Sequence, residues 1–78
     1  MKDNKENNLA ENLRSLRFVK GYHLEQIGET VGATRQTVSK WEKGIVEPNA
    51  EQMVALVALY ELPSLDVLVH GKFSLRME

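Results

Sequence analysis

Cysteine is absent from this chain of 78 residues, so disulfide bonds and thiolate metal ligands are excluded. The two histidines, His23 and His70, lie far apart in the sequence, and no pattern of a nucleophile with its base or of a metal-binding cluster accompanies them. A glycine-rich loop of the kind that binds phosphate groups is also missing. The sequence therefore predicts that the protein is not an enzyme and has no metal, no cofactor and no evident small-molecule ligand.

Long hydrophobic runs are absent as well. The apolar content of 42% is ordinary for a globular protein, and no segment approaches the roughly 18 apolar residues that a membrane span requires. The first eight residues, MKDNKENN, are polar and lack the apolar segment of a secretory signal. We therefore expect one small cytoplasmic domain with no membrane partner, because a chain of this length can build one modest core.

Neither sign of charge dominates the chain, whose formal net charge is −1. The distribution is uneven, since residues 48–78 carry two basic and four acidic side chains. The short stretch TRQTVSKWEKG holds three basic side chains and one acidic side chain between residues 35 and 43. Any electropositive surface must therefore come from the arrangement of charges and not from an overall excess of them.

The spacing of apolar residues predicts five short helices joined by tight connections, and hence an all-α fold. Leu9, Leu13 and Leu16 recur at intervals of four and three residues, as on one face of a helix. Glycine or proline marks most of the expected helix ends. The helices are expected to begin near Leu9, Leu24, Arg35, Asn49 and Leu65. Residues 1–8 are predicted to form a flexible polar tail, and residues 9–70 the folded domain.

The C-terminal segment, residues 71–78, has a different pattern. From Phe73 to Glu78 apolar and polar residues alternate strictly, which is the periodicity of a β-strand. A single strand in a helical domain has no partner for its backbone groups within its own chain. The segment is therefore either a frayed end or a strand that pairs with the same strand of a second copy across a dimer.

The residues around Gly32-Ala33-Thr34 separate two short predicted helices by the spacing of a helix-turn-helix. The chain resembles the Cro/repressor-type (XRE) helix-turn-helix family of bacterial and phage DNA-binding proteins over roughly residues 9–69. The matching residues are LRSLR at 13–17, Gly21, Ile27, Val31-Gly32, TRQTVSKWEKG at 34–44 and Pro48. The resemblance implies a repressor-like domain whose partner is double-stranded DNA.

The third predicted helix carries the side chains expected to contact DNA. If Val38 and Trp41 face the core, the polar residues of this helix are left on its exposed surfaces. Arginine can donate two hydrogen bonds to guanine, and glutamine can pair with adenine in the same way. Contacts to base edges are expected from Arg35, Gln36, Ser39 and Lys40, and contacts to phosphates from Thr34, Thr37 and Lys43. For Ser39 the alternatives are a phosphate contact or no contact.

The resemblance also implies a structural ion pair between Arg17 and Glu42, which would link the first helix to the third. The alternative is two independent surface charges. The sequence departs from the family's pattern at Leu24, where a phosphate-binding glutamine is common, and at His23, where the N-cap is usually Ser or Thr. Gly28 replaces a usual alanine, which lowers helix propensity unless close packing requires glycine.

The expected function is that of a sequence-specific transcriptional regulator, a repressor that binds a palindromic operator as a homodimer through helix 35–43 in the major groove. The residues expected to form the dimer interface are MVALVALY, residues 53–60, which are more apolar than one core-facing stripe requires, and three apolar residues of the alternating segment. The latter are Phe73, Leu75 and Met77. The alternative function is that of a protein-interaction module, such as an antitoxin or an adaptor, built on the same fold.

Overall fold

A computed structural model describes residues 7–73, and all the regular secondary structure in that range is helical. The five helices are α1 (Leu9–Lys20), α2 (Leu24–Val31), α3 (Arg35–Glu42), α4 (Ala50–Leu59) and α5 (Leu65–His70). The predicted all-α fold of five short helices is thereby confirmed. The third helix ends at Glu42, one residue earlier than expected, because Lys43 is its C-cap. The expected strand lies outside the described residues from position 74 onward, and this part includes Leu75 and Met77.

Side-chain caps determine where three of the helices begin. The Thr34 hydroxyl accepts a hydrogen bond of 3.1 Å from the backbone N–H of Thr37 and so caps α3. Asn49 and Gln52 cap α4 reciprocally, since each side-chain oxygen accepts a 2.8 Å hydrogen bond from the other residue's backbone N–H. Ser64 caps α5 in the same way as Thr34 caps α3. These interactions are local in sequence, so each helix start is specified by the few residues around it.

The core lies at the junction of the five helices, and α3 contributes two of its most deeply buried side chains. Val38 and Trp41 are each only 2% exposed, which confirms Trp41 as a core residue. They pack with apolar residues of the other helices, chiefly Leu9, Leu13, Leu16, Ile27, Leu56 and Leu68. Since α3 packs against both α1 and α2, its inner face is fully occupied by the core.

The packing of α2 against the turn that follows it depends on Gly28. This residue is buried, and a Cβ built on it would collide with the carbonyl oxygen of Ala33. Gly32 ends α2 in the left-handed conformation, with φ of 81°, which turns the chain towards α3. The helix propensity lost at Gly28 is therefore the consequence of a close backbone contact, which brings α2 and α3 together.

The C-terminal end of the described chain is fastened to α1 by Asn12, whose side chain is almost completely buried. Its amide nitrogen donates hydrogen bonds of 2.8 Å to the carbonyl oxygens of Leu68 and Gly71. Its side-chain oxygen accepts one of 3.1 Å from the backbone N–H of Phe73. One asparagine thus satisfies three backbone groups at the end of α5 and fixes where the chain leaves the domain.

No helix among residues 7–73 has both the length and the apolar character that a membrane span needs. The same part of the chain contains no group of three or more His, Asp or Glu side chains that could hold a metal ion.

We predict that Asn12→Ala lowers the free energy of unfolding by about 1–3 kcal/mol, because it leaves buried backbone groups without hydrogen-bond partners. Urea denaturation of the variant and of the wild-type protein measures this loss. The matched control is Arg14→Ala on the exposed side of α1, where we expect a change within about 0.5 kcal/mol. Equal unfolding midpoints for the two variants would show that the Asn12 network contributes nothing.

Candidate nucleic-acid interface

The outward face of α3 brings most of the expected DNA-contacting residues together. Arg35, Gln36 and Lys40 are exposed, and Ser39 between them is half-buried. With Lys43 at the end of the helix, these four residues line one shallow groove on the surface. Because the opposite face of α3 is buried in the core, these five residues form a strip of hydrogen-bond donors and positive charge along the outward face of the helix.

Thr34 and Thr37 lie at the N-terminal end of this strip. Their hydroxyl groups are joined, since the Thr34 hydroxyl donates a 3.0 Å hydrogen bond to that of Thr37 while it accepts from the Thr37 backbone N–H. Thr34 is exposed and Thr37 is half-buried. The pair therefore stabilises the first turn of α3 and still leaves hydroxyl oxygen accessible at the surface.

Arg17 and Glu42 join α1 to the end of α3 through a bidentate ion pair. The Nε atom of Arg17 lies 2.7 Å from one carboxylate oxygen of Glu42, and Nη2 lies 3.0 Å from the other. The two side chains are only 16% and 7% exposed. The hydrogen bond to Glu42 raises the pKa of the Arg17 guanidinium above its ordinary value, although burial opposes it. The negative charge of Glu42 is thus neutralised next to Lys43, at the edge of the groove.

A second ion pair crosses from α2 to α3 and was not anticipated from the sequence. Nη1 of Arg35 lies 3.8 Å from a carboxylate oxygen of Glu25, and both side chains are exposed. Arg35 is the first residue of α3, and Glu25 lies in the first turn of α2. No local pattern joins two residues ten positions apart on different helices, so only the crossing of α2 over α3 could reveal the pair.

Two apolar side chains, Leu24 and Ile45, also line the groove. Leu24, in the position where the family commonly has glutamine, is half-buried and packs against the core. Ile45, just after α3, is 63% exposed, and it lines the same groove as Lys40 and Lys43. The groove is thus lined by five polar and two apolar side chains.

The residues expected at a dimer interface are only partly described. Phe73 is half-buried and packs against the core of its own chain, whereas Leu75 and Met77 lie outside the described residues. The outer surface of α4 and α5 carries exposed apolar groups of its own. Val54 is 65% exposed and Leu65 is 45% exposed. Val54 belongs to MVALVALY, the stretch that is more apolar than one core-facing stripe requires, and Leu65 is the first residue of α5.

The five-helix fold and the polar outer face of α3 define the class of protein, a helix-turn-helix domain. In this motif α2 is the first helix and α3, whose outer face is exposed, is the second. A family model described as "Helix-turn-helix" matches residues 13–67. The chain belongs to this family, the XRE-type helix-turn-helix family of DNA-binding transcriptional regulators. The resemblance found in the sequence is thereby confirmed. So is the expectation that the protein is not an enzyme, because the family consists of transcriptional regulators.

Three similar proteins illustrate this membership. The chain is 38% identical over 55 residues to YgzD, an uncharacterized HTH-type transcriptional regulator of Bacillus subtilis (strain 168), and the match covers 70% of this chain and 83% of YgzD. The P22 c2 repressor, solved in complex with synthetic operator 9T, is 30% identical with a TM-score of 0.76 over 82% of this chain and 96% of that one. A transcriptional regulator from Listeria innocua is 27% identical with a TM-score of 0.80, over 94% of this chain and 67% of that one.

We predict that Arg17→Met lowers the free energy of unfolding by about 3–5 kcal/mol, because it leaves the carboxylate of Glu42 buried without its counter-charge. Replacing both partners, with Glu42→Leu added, should recover most of that loss, since no buried charge then remains. Chemical denaturation of the two variants measures the difference.

The control for this prediction is Arg35→Met, which removes the arginine of the exposed ion pair and should cost less than about 1 kcal/mol. A loss in Arg17→Met as small as that in the control would contradict the stabilising role of the buried pair.

Proposed function

We propose that this protein is a sequence-specific repressor that binds double-stranded DNA by inserting α3 into the major groove. The observation that carries the proposal is the exposed strip formed by Arg35, Gln36, Ser39, Lys40 and Lys43. An α-helix fits the major groove, and helix-turn-helix proteins contact base edges with the N-terminal residues of the second helix. The similar P22 c2 repressor was solved with a synthetic operator, which supports the same kind of partner for this chain.

Within the strip, we assign the side chains to two tasks. Arg35 and Gln36 lie at the N-terminal end of α3, and both have the bidentate geometry that distinguishes guanine and adenine. We assign base contacts to these residues and to Ser39 and Lys40. Phosphate contacts are assigned to Thr34, Thr37 and Lys43, whose hydroxyl and ammonium groups hold the backbone without distinguishing sequence.

Repression follows from occupancy. A domain that fills the major groove of an operator near a promoter excludes polymerase from the same DNA, and this mechanism needs no further contact. The similarity to the P22 c2 repressor supports repression over activation. The Arg17–Glu42 pair would serve this function by fixing the orientation of α3 relative to α1, so that the strip meets the groove at a constant angle.

We further propose that the working unit is a homodimer that binds an approximate palindrome. One copy of α3 offers few base contacts, and a two-fold dimer doubles them. In helix-turn-helix dimers the half-sites lie about 34–36 Å apart, one turn of DNA. We assign the interface to Phe73, Leu75 and Met77, together with the exposed apolar groups of α4 and α5. Antiparallel pairing of two C-terminal strands would satisfy their backbone groups and bury their apolar faces.

The exposed apolar residues beside α3 favour a second candidate function, a protein-interaction module such as an antitoxin or an adaptor. Ile45 and Val46 are 63% and 43% exposed, and Ile45 would suit a protein surface as well as DNA. The two functions differ in their response to salt. DNA binding releases counterions and weakens steeply as the salt concentration rises, whereas an apolar protein contact does not.

We predict that selection from a random DNA pool at low salt enriches one sequence class, and that Arg35→Ala then costs about 1–3 kcal/mol of binding free energy on that site. Arg35→Ala should abolish the base preference at one operator position and leave the preferences at the other positions unchanged, because a single base contact is removed. Lys43→Ala should weaken binding to selected and random DNA alike and reduce the salt dependence, because a phosphate contact is removed. Affinity measurements at two salt concentrations distinguish the variants.

Failure to enrich any sequence would refute DNA recognition. Equal losses on all sequences for Arg35→Ala would reassign that side chain to a phosphate contact.

For the dimer, we predict that removal of residues 74–78 shifts the protein from dimer to monomer in sedimentation experiments, because the paired strands are lost. Phe73 is retained in this variant, so its packing against the core is undisturbed. Val54→Glu tests the contribution of the exposed surface of α4 separately. Unchanged dimer affinity in the truncated chain would rule out the strand, and a full-length chain that remains monomeric on its operator would rule out the dimer.

A further inference from the structure

The ion pair between Glu25 and Arg35 places a carboxylate beside the first residue of α3. The distance from Arg35 Nη1 to the Glu25 carboxylate is 3.8 Å, and the side chains are 60% and 69% exposed. We propose that Glu25 is a positioning residue that orients Arg35 for a guanine and so sets the preference for a G·C pair at one operator position. This inference rests on the proposed function, in which Arg35 contacts a base.

The geometry of the guanidinium group makes this role possible. Arginine has five N–H donors in a rigid plane, so one edge can face a carboxylate while another faces a base. Nη1 is the atom near Glu25, which leaves the edge formed by Nε and Nη2 for the O6 and N7 atoms of guanine. An arginine side chain held in one orientation before binding loses less conformational entropy when it meets the base.

The surroundings of Glu25 favour Arg35 as its counter-charge. Arg17 lines the same surface pocket, but its guanidinium is already engaged in the bidentate pair with Glu42. Glu25 itself is stabilised by its place in the first turn of α2, where the helix dipole favours a negative charge. Arg35 is therefore the cation that the Glu25 carboxylate can hold at the groove.

Glu25 should also influence which DNA the protein rejects. An acidic group near the duplex repels phosphates, so it lowers affinity for every sequence. On a site without the guanine, Arg35 can remain with Glu25 and need not move to a phosphate. On the correct site, the two hydrogen bonds to guanine are added while the ion pair is kept. Glu25 therefore lowers total affinity and increases discrimination between sites.

The test compares Glu25→Gln with Glu29→Gln, an identical change one turn later on the exposed side of α2. Glu29 forms no ion pair with any of residues 7–73, so its replacement controls for the lost negative charge. The measured quantity is the ratio of affinities for the selected operator and for the same operator with the G·C pair assigned to Arg35 changed to A·T. The position is identified as the one where Arg35→Ala loses its preference.

We expect the affinity ratio to fall roughly two- to fivefold in Glu25→Gln, the range given by an exposed ion pair, and to stay unchanged in Glu29→Gln. Both variants should bind random DNA more tightly, because each has lost a negative charge. When Glu25→Gln is added to Arg35→Ala, the ratio should not change further, because the residue that Glu25 positions is absent.

An unchanged ratio in Glu25→Gln, at a position where Arg35→Ala abolishes the preference, would overturn the inference and leave the proposed function intact. A fall of equal size in the Arg35→Ala background would also overturn it, since Glu25 would then act on the DNA directly. If Arg35→Ala leaves the base preference unchanged at every operator position, Arg35 contacts no base. The inference then fails together with the assignment of a base contact to Arg35. Failure of the wild-type protein to enrich any DNA is a separate result, which refutes the proposed function itself.

Discussion

The bidentate ion pair between Arg17 and Glu42, next to the buried ring of Trp41, determines how α3 is rotated about its own axis. Trp41 and Glu42 are consecutive, so one anchors the helix in the core and the other ties it to α1. With both held, Arg35 and Lys40 must lie on the outer face, because residues of a helix are related by a fixed turn of about 100°. The exposed polar face of α3 is thus a consequence of packing on the opposite side of the same helix.

Because the chain is nearly neutral, its local positive charge depends on where its carboxylates lie. A protein with a large positive excess can bind any DNA through phosphates alone, whereas this chain has a formal net charge of −1. Two acidic side chains of α2 and α3, Glu25 and Glu42, are each paired with an arginine. Lys40 and Lys43 then provide local positive charge at the groove. In the proposed function, such a surface would favour discrimination between sequences over affinity for all of them.

Much of the fold and of the candidate site could be predicted from the sequence because the signals are local. Thr34, Asn49 and Ser64 cap helices within three residues of themselves, and Gly32 turns the chain by its own conformation. The grouping of the polar residues of α3 follows from the burial of Val38 and Trp41, which helical spacing predicts. The end of α3 was misplaced by one residue, since Lys43 caps the helix in place of continuing it. A cap and a last turn differ only slightly in backbone geometry.

The sequence by itself determined the helices, the helix-turn-helix class and the polar side chains on the outer face of α3, because each depends on spacing over a few residues. Only the tertiary structure decided which distant residues meet. Glu25 reaches Arg35 because α2 packs against α3 at the close contact of Gly28 with Ala33. Asn12 binds backbone groups 56 to 61 residues away, and it thereby holds Phe73 against the core of its own chain. Such pairs depend on how whole helices cross, and that information is not contained in the periodicity of any one of them.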